Sequence, residues 1–346
     1  MTGEVGSPQP RAELLAVKLR VLVRDATGAH GSPVAFAGGA ALDTPEGRWI
    51  LIDHELRRAL GGAVAAASDV AVVHLVVDAP EAASPDPYAA RGHPAGLSVG
   101  DVARRAAFFS SPRVEVWQAE GRALHRVEPA PWPEPARVPP EVAAFAHTVA
   151  AAGADPVVEH GVLIAEVEGL EVARAYLGAD GTAQLHIGVG RHDQDAFTLL
   201  HGDAATPEAL AGVVQRVRRQ RQPDQSHLAL GRLAPERRLR RRLVQQPSLV
   251  GADHLAPIPP VVPQPNLRSP FPAAAAGDDT AGRPLLSVCS IGGDLDVVPT
   301  AADLRERAGG IRTIITVLAG DDLAVTRRIA AALAEPIEIV TVSPAA

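Results

Sequence analysis

Residues 70–78, VAVVHLVVD, form a β-branched and almost uninterrupted apolar stretch. Such a stretch is typical of a strand buried on both faces of a parallel sheet, because a strand with one solvated face would alternate apolar and polar residues. Residues 79–100 are rich in Pro, Ala and Gly and predict an inserted loop, and residues 101–109 (DVARRAAFF) predict a short helix. A buried strand followed by a helix indicates an α/β fold.

The N-terminal unit extends outward from this strand over residues 14–128. Its alternating segment LLAVKLRVLVRD, residues 14–25, predicts a half-buried strand. The other predicted elements are a helix at residues 54–67 and strands at residues 33–42, 48–53, 114–117 and 123–127. We expect a mixed sheet here, preceded by a flexible N-terminus (residues 1–13) and followed by a proline-rich linker (residues 129–140).

The C-terminal unit, residues 285–346, has the clearest pattern of elements. Strands are predicted at residues 285–291, 311–318 and 337–342, and they alternate with helices at residues 301–308 and 323–334. Thr300 and the pair Asp321 and Asp322 are placed to cap these helices. The pattern predicts a β-α-β-α-β segment with parallel strands.

A central unit, residues 141–228, lies between the other two. Its predicted elements are helices at residues 141–152 and 207–222 and strands at residues 162–168, 171–177 and 183–189. An arginine-dense helix follows within residues 229–245. Residues 246–284 contain many prolines and the tract AAAAG with little periodicity, and they predict a long connection that is either functional or disordered.

The composition excludes several classes of protein. Lys18 is the only lysine, and the GxxxxGK[ST] motif is absent, which excludes an ATPase of the phosphate-loop type. Cys289 is the only cysteine, which excludes an internal disulfide framework and a zinc site built on several cysteines. No apolar run reaches the roughly 18–20 residues of a membrane span, and no secretory signal is evident. We therefore expect a cytoplasmic protein with no membrane partner.

Acidic side chains and histidines are densest in residues 159–195. Glu166 and Glu168 lie two residues apart on one predicted strand and so share a face, and Glu159 shortly precedes them. Carboxylates that converge with histidines on a small sheet can hold a divalent ion, and Mg²⁺ prefers carboxylate oxygens and water. The pattern predicts Glu159, Glu166 and Glu168 as Mg²⁺ ligands. The alternative is an amphipathic hairpin whose polar face lies in water.

In the central unit a helix is followed by GLEVAR, a turn, and then LHIGVGR with a second helix. This order of elements resembles the core of PD-(D/E)XK-type nucleases. By this resemblance Glu171 stands for the first acid of the motif. His186 and Gly188 fall where the glutamate and lysine of E-x-K belong, so neither residue of E-x-K is retained. Arg191 is the nearest basic group. The resemblance implies Glu171, His186 and Arg191 as the catalytic residues.

Most of the chain is similar to a conserved-hypothetical family of high-GC Gram-positive bacteria. The similarity lies in phrases such as EHGVLIAEVEGLEVAR, GVGRHDQDAF and CSIGGDLDVVPTAADLR. It implies the α/β architecture and a cytoplasmic location only.

Residues 216–242 carry ten arginines against two acids, Asp224 and Glu236, in a protein whose net charge is −7. Such a stripe suits phosphate backbones, although no aromatic residue is interleaved for base stacking. The predicted phosphate-binding residues are Arg237, Arg238, Arg240, Arg241 and Arg242. The alternatives are a solvated helix face, or arginines paired with the protein's own carboxylates.

A further candidate site follows the strand at residues 285–291. Gly292, Gly293, Asp294 and Asp296 come directly after this strand, and open α/β sheets bind ligands at the carboxyl ends of their strands. The two aspartates could orient a sugar hydroxyl or a metal-bound water. Ordinary turn chemistry is the alternative explanation of Gly-Gly-Asp.

These patterns give three hypotheses of function. The first is a nucleic-acid-associated protein with a nuclease-like fold, in which the acidic hairpin and the arginine stretch line a common groove; whether it is an enzyme stays open. The second is a non-catalytic scaffold whose arginine helix binds an acidic protein partner. The third is a nucleotide- or sugar-binding α/β module at Gly292–Asp296.

Overall fold

The computed structural model describes residues 8–53, 56–67, 69–78, 96–178, 180–190, 193–195, 206–222, 229–264 and 266–344. Within these residues the chain forms three sheets with helices packed against them, so the predicted α/β class is confirmed. None of the described helices is both long and apolar enough to cross a membrane.

The N-terminal sheet has six strands in sequence order. They are β1 (Ser32–Val34), β2 (Ala40–Thr44), β3 (Gly47–Ile52), β4 (Val72–Val77), β5 (Arg113–Glu120) and β6 (Ala123–Arg126). The central strand β4 runs parallel to both β3 and β5, and the other pairs are antiparallel. Strand β4 is buried along nearly its whole length, which confirms the prediction made from its apolar sequence.

Helix α1 (Pro8–Thr27) covers one face of this sheet. Of the predicted flexible N-terminus, residues 8–13 belong to this helix, and residues 1–7 lie outside the described residues. The strand predicted at residues 14–25 was wrong because these residues also satisfy the helical period. Their buried residues follow helical spacing and contact the sheet: Leu15, Leu19, Leu22 and Val23. Packing of this apolar stripe against the sheet stabilises the helix, although the same residues also fit the alternation of a strand.

The C-terminal sheet has five strands in sequence order. They are β11 (Ala252–Ile258), β12 (Ala273–Asp279), β13 (Pro284–Cys289), β14 (Arg312–Leu318) and β15 (Glu338–Val342). The parallel strands β13, β14 and β15 alternate with α8 (Val297–Arg307) and α9 (Ala324–Ala331), which confirms the predicted β-α-β-α-β segment.

Two details of this unit differ from the prediction. Strands β11 and β12 form within residues 246–284, where only a connection was expected, because the AAAAG tract pairs along its length with β13. The predicted caps are also wrong. Thr300 lies inside α8, which begins after Asp296, and α9 begins after Leu323 without a side-chain cap.

The N- and C-terminal units share one apolar core. Helices α2 (Leu56–Ala65) and α3 (Val99–Ala106) pack against α8 and α9, so a layer of helices lies between the two sheets. The buried carboxylate of Asp303 on α8 accepts hydrogen bonds from Arg104 and Arg105 on α3. Helix α3 is therefore tied to the C-terminal unit by charge as well as by apolar contact. Residues 79–95, most of the inserted loop that the sequence predicted, lie outside the described residues.

The central sheet is antiparallel and contains β10 (Ala183–Ile187), β9 (Leu170–Leu177), β8 (Val162–Val167) and β7 (Asp155–Glu159), in that spatial order. Strand β7 was not predicted. The short helices α4 (Pro140–Ala143) and α5 (Phe145–Ala151) and the longer α6 (Pro207–Gln220) cover its apolar face. Helix α7 (Pro235–Gln245) packs on the C-terminal sheet and also reaches the polar residues of the central sheet.

The packing of α1 predicts a sharp contrast between two of its leucines. Leu19 is 1% exposed and Leu14 is 71% exposed. Leu19→Ala should lower the free energy of unfolding by about 3 kcal/mol through the lost burial and the cavity left behind. Leu14→Ala should change it by less than about 0.5 kcal/mol, and urea denaturation measures both. Equal effects would contradict the helical assignment of this segment.

Candidate functional site

Helix α7 has two different faces because it lies against two sheets. Leu239 and Leu243 are buried in the apolar cluster of the C-terminal sheet. Arg237, Arg240 and Arg241 follow i, i+3, i+4 spacing and so share a face. Their side chains reach carboxylates of the central unit.

Two of these arginines form a buried network with two glutamates. Arg237 donates to Glu159 at 2.6 Å and to Glu166 at 2.8 Å. Arg240 donates to both oxygens of Glu166 at 2.7 Å and to Glu159 at 3.2 Å. All four residues are at most 5% exposed. Burial alone would raise the pKa of Glu159, but the charges of Arg237 and Arg240 hold this pKa below its usual value.

The predicted Mg²⁺ ligands are therefore engaged by guanidinium groups. Glu159 and Glu166 bind Arg237 and Arg240, and Glu168 accepts a hydrogen bond from Arg241 at 2.7 Å. In the part of the chain that the structure describes, no three His, Cys, Asp or Glu side chains come together as a metal site. For Arg237, Arg240 and Arg241, pairing with the protein's own carboxylates replaces the predicted phosphate contact.

Two of the three residues implied by the nuclease resemblance, Glu171 and His186, lie in the described part of the chain. Glu171 is buried and accepts hydrogen bonds from Arg174 and Gln194. Burial acts to raise the pKa of Glu171, but Arg174 outweighs it, and the pKa falls to about 2. Such a carboxylate stays ionised and is a weak base near neutral pH. His186 is within 3.0 Å of the Tyr176 hydroxyl, and Arg191 lies outside the described residues.

The outer side of α7 lines a different feature, a cleft of about 620 Å³ that we call the cationic cleft. Four arginines line it: Arg218 and Arg221 at the end of α6, and Arg238 and Arg242 on α7. Arg238 and Arg242 belong to the predicted phosphate-binding set. Apolar residues of α7 and of the C-terminal unit complete the wall, among them Leu239, Ile291 and Leu318.

The guanidinium groups of the cationic cleft are bound by main-chain carbonyls. Arg221 donates to the carbonyls of Glu168, Leu230 and Leu233. Arg238 donates to the carbonyl of Arg221 at 2.7 Å. Arg218 and Arg242 donate to the carbonyls of Gly153 and Ser343, respectively. Carbonyls satisfy N–H groups but do not neutralise their charge.

The cationic cleft therefore carries excess positive charge. Among the described residues, none of its four arginines forms an ion pair, whereas its one acidic wall residue, Glu168, is already bound to Arg241. Burial, and next the neighbouring charge of Arg238, lower the pKa of Arg221 to about 10. Burial is the larger of these two causes, and the charges of Glu168 and Glu166 act in the opposite direction.

The predicted ligand residues 292–296 connect β13 with α8, as expected for the carboxyl end of a strand. Asp294 is buried and its carboxylate lies 3.4 Å from an Arg57 nitrogen. Asp296 is buried and lines a cavity of about 380 Å³, together with Arg57 and Arg105. Gly292 and Gly293 are not part of the wall of this cavity.

Glu236, in the first turn of α7, is a buried acid that was counted in the sequence but given no role. It is 1% exposed, and neither carboxyl oxygen has a hydrogen-bond partner of good geometry among the described residues. Burial raises the pKa of Glu236 to about 7, and the neighbouring Asp294 adds to this effect.

Sequence reasoning missed Arg57, Arg105, Arg218 and Arg221 as members of these two sites. Arg218 and Arg221 lie in the arginine-dense segment, so the signal for them was present as charge density. Arg57 and Arg105 carried no such signal, because they reach the cavity from helices far from residues 292–296 in sequence.

Comparison of the chain with protein-family models, curated proteins and solved structures gives no match. The resemblances noted in the sequence therefore stay predictions.

The two faces of α7 predict losses of stability of very different size. Arg240→Gln leaves Glu159 and Glu166 buried with too little positive charge and should lower the free energy of unfolding by about 3–5 kcal/mol. Arg242→Gln removes the same charge from the half-buried outer face and should cost less than about 1 kcal/mol. Urea denaturation of both variants provides the measurement, and similar values would argue against the buried network.

Glu236 predicts a specific dependence of stability on pH. Its pKa is higher in the folded chain, about 7 against an ordinary 4.5, so the folded state holds this proton more tightly. This contribution is fully present below pH 4.5 and is lost as the pH rises through 7. Glu236→Gln should therefore raise stability at pH 8 by up to about 3 kcal/mol relative to the natural chain, and by much less at pH 4.5. Glu120→Gln, at an exposed position, is the control and should leave stability nearly unchanged at both pH values.

Proposed function

We propose that the protein binds nucleic acid through phosphate contacts in the cationic cleft. The observation that carries the proposal is the grouping of Arg218, Arg221, Arg238 and Arg242 in one cleft, without a carboxylate partner among the described residues. A cytoplasmic location is proposed with it.

The arginines suit this role in different ways. Arg221 is buried, and its three carbonyl partners hold it in one position at the junction of α6 and α7. Arg218 is exposed, and Arg238 and Arg242 are half-buried, so their remaining N–H groups can reach a ligand. Guanidinium groups bind phosphate oxygens in a planar, bidentate geometry and remain charged at any physiological pH.

The composition of the cleft wall favours recognition of the backbone over recognition of bases. None of the described residues that line the cleft is aromatic, so stacking with bases is not supported. Phosphate contacts position a nucleic acid but carry no sequence information. We therefore expect binding with little sequence preference and a strong dependence on salt.

We propose that the protein binds nucleic acid without cleaving it. The carboxylates that the nuclease resemblance would use are engaged by arginines of α7 or by Arg174. The buried network of ion pairs positions α7 so that Arg238 and Arg242 face the cleft.

Removal of the accessible arginines should abolish most of the binding. The triple variant Arg218→Gln, Arg238→Gln and Arg242→Gln should bind a fluorescein-labelled 20-nucleotide DNA or RNA at least 30-fold more weakly at 50 mM salt. The slope of log K against log salt should also fall by about 2, since three phosphate contacts are lost. Fluorescence polarisation measures both quantities.

A matched control removes three arginines from the N-terminal sheet. Arg113, Arg122 and Arg126 have exposed side chains, and changing all three to Gln alters the net charge by the same amount. Affinity should then stay within about twofold. An equal loss in both variants would mean that only net charge matters, and absence of binding by the natural chain at 50 mM salt would reject the proposal.

An acidic protein partner would bind the same guanidinium groups, so a competition experiment distinguishes it from nucleic acid. Polyglutamate of the same charge as the oligonucleotide should displace the bound oligonucleotide poorly, because a series of carboxylates lacks the spacing and the charge density of phosphodiesters. Displacement at equal concentration would favour the acidic partner over nucleic acid.

A further inference from the structure

The cavity beside Asp296 lies where the N- and C-terminal units meet. Its volume is about 380 Å³, and its wall combines side chains of α2, α3, α8 and the segment between β11 and β12. The apolar part of the wall is formed by Leu56, Leu97, Val262 and Phe271. A concave, mostly apolar site with a few converging polar groups at the contact between two units is the usual form of a small-molecule site.

Arg57 presents unused hydrogen-bond donors to this cavity. Its Nη1 lies 3.4 Å from Asp294, and its guanidinium carbon lies 5.7 Å from the centre of the Phe271 ring. Its Nε and Nη2 have no acceptor within the described part of the chain. The guanidinium group is thus held by a long contact and by an aromatic face, and a carboxylate could bind it side-on.

Asp296 presents an unused acceptor to the same cavity. Its side chain is 3% exposed, and its Oδ2 accepts hydrogen bonds from Arg105 at 3.2 Å and from Thr300 at 3.3 Å. Its Oδ1 accepts none from the described residues. Arg105 is already shared between Asp296 and Asp303, and Oδ1 of Asp296 is left to accept a hydrogen bond from a ligand.

We propose that this cavity binds a small zwitterion of the α-amino acid class. The carboxylate of the ligand binds Arg57, its ammonium group binds Asp296, and its side chain lies against the apolar wall formed by Leu56, Leu97, Val262 and Phe271.

The charges of the cavity favour a zwitterion over a simple anion or cation. An organic anion would lie beside the carboxylate of Asp296 in the wall, with Asp294 already paired to Arg57, and an organic amine would lie beside Arg57 and Arg105. Buried charges require partners of opposite sign, and an amino acid supplies one of each without changing the net charge of the site. This site is separate from the cationic cleft and does not depend on the function proposed for it.

Binding should weaken in acid. Burial raises the pKa of Asp296 to about 7; Arg105 lowers it, Asp294 raises it, and Arg57 and Thr300 lower it. The pKa of Asp294 is raised as well, by burial. An ammonium group binds the ionised carboxylate, so affinity should fall by up to tenfold per pH unit below pH 7 and should level off above it.

The first experiment uses the full chain at pH 8 with each of the twenty L-amino acids in a thermal-shift assay. At least one should raise the melting temperature, since a ligand that binds only the folded state stabilises it. For the best ligand, calorimetry then compares the amino acid with its des-amino acid and its decarboxylated amine. Both analogues should bind at least tenfold more weakly. No shift with any of the twenty, or equal binding of either analogue, would overturn the proposal.

The second experiment tests the two residues that carry the proposal. Arg57→Gln and Asp296→Asn should each weaken binding at least tenfold, whereas Arg58→Gln, a change of the adjacent residue on α2, should stay within about twofold. An equal loss in the Arg58 variant would count against the site. If Arg57→Gln or Asp296→Asn fails to fold, the three-ligand comparison and the pH profile of the natural chain decide the matter.

Discussion

The buried ion pairs between α7 and the central sheet are the interaction on which the arrangement of the molecule depends. Four charged side chains are buried here together: Arg237, Arg240, Glu159 and Glu166. The ion pairs among them offset the free-energy cost of removing each charge from water. Four charges with directional hydrogen bonds tolerate little rotation. The network therefore fixes which arginines of α7 face inward and which face the cationic cleft.

This division of the arginines explains what the sequence could and could not predict about the site. Charge density alone identified the segment, and the possibility of internal pairing was recognised. Which arginines pair internally depends on where the acids lie, and Glu159 is 78 positions from Arg237. No local pattern carries that information. Helical spacing places Arg237, Arg240 and Arg241 on one face. This face meets the central sheet because Leu239 and Leu243 pack on the C-terminal sheet and the arginines pair with Glu159 and Glu166.

The elements of the fold could likewise be predicted where a local pattern was enough and not where distant contacts decided the structure. Strands β4, β13 and β14 were predictable because a short, continuous apolar segment is typical of a strand buried on both faces. Helix α1 was not predictable, because its apolar residues satisfy both a period of two and a period near 3.6. Packing against the face of the N-terminal sheet favours the helix over the strand. Strands β11 and β12 were missed for a different reason. The Ala-rich tract has weak β propensity, and its pairing with β13 supplies the stability that its own sequence lacks.

Helix α7 also relates the two candidate sites to each other. Its first turn carries Glu236, whose pKa responds to Asp294 and Arg57 beside the cavity, and its later turns carry Arg238 and Arg242 of the cationic cleft. A shift of α7 toward either site would stretch hydrogen bonds of 2.6–2.8 Å at Arg237 and Arg240, which are buried and have no water to replace them. The helix is thus a fixed element between the sites. Glu236 on this helix and Asp294 beside the cavity are the buried acids through which the charge of the cavity reaches the helix, since Asp294 is close enough to raise the pKa of Glu236.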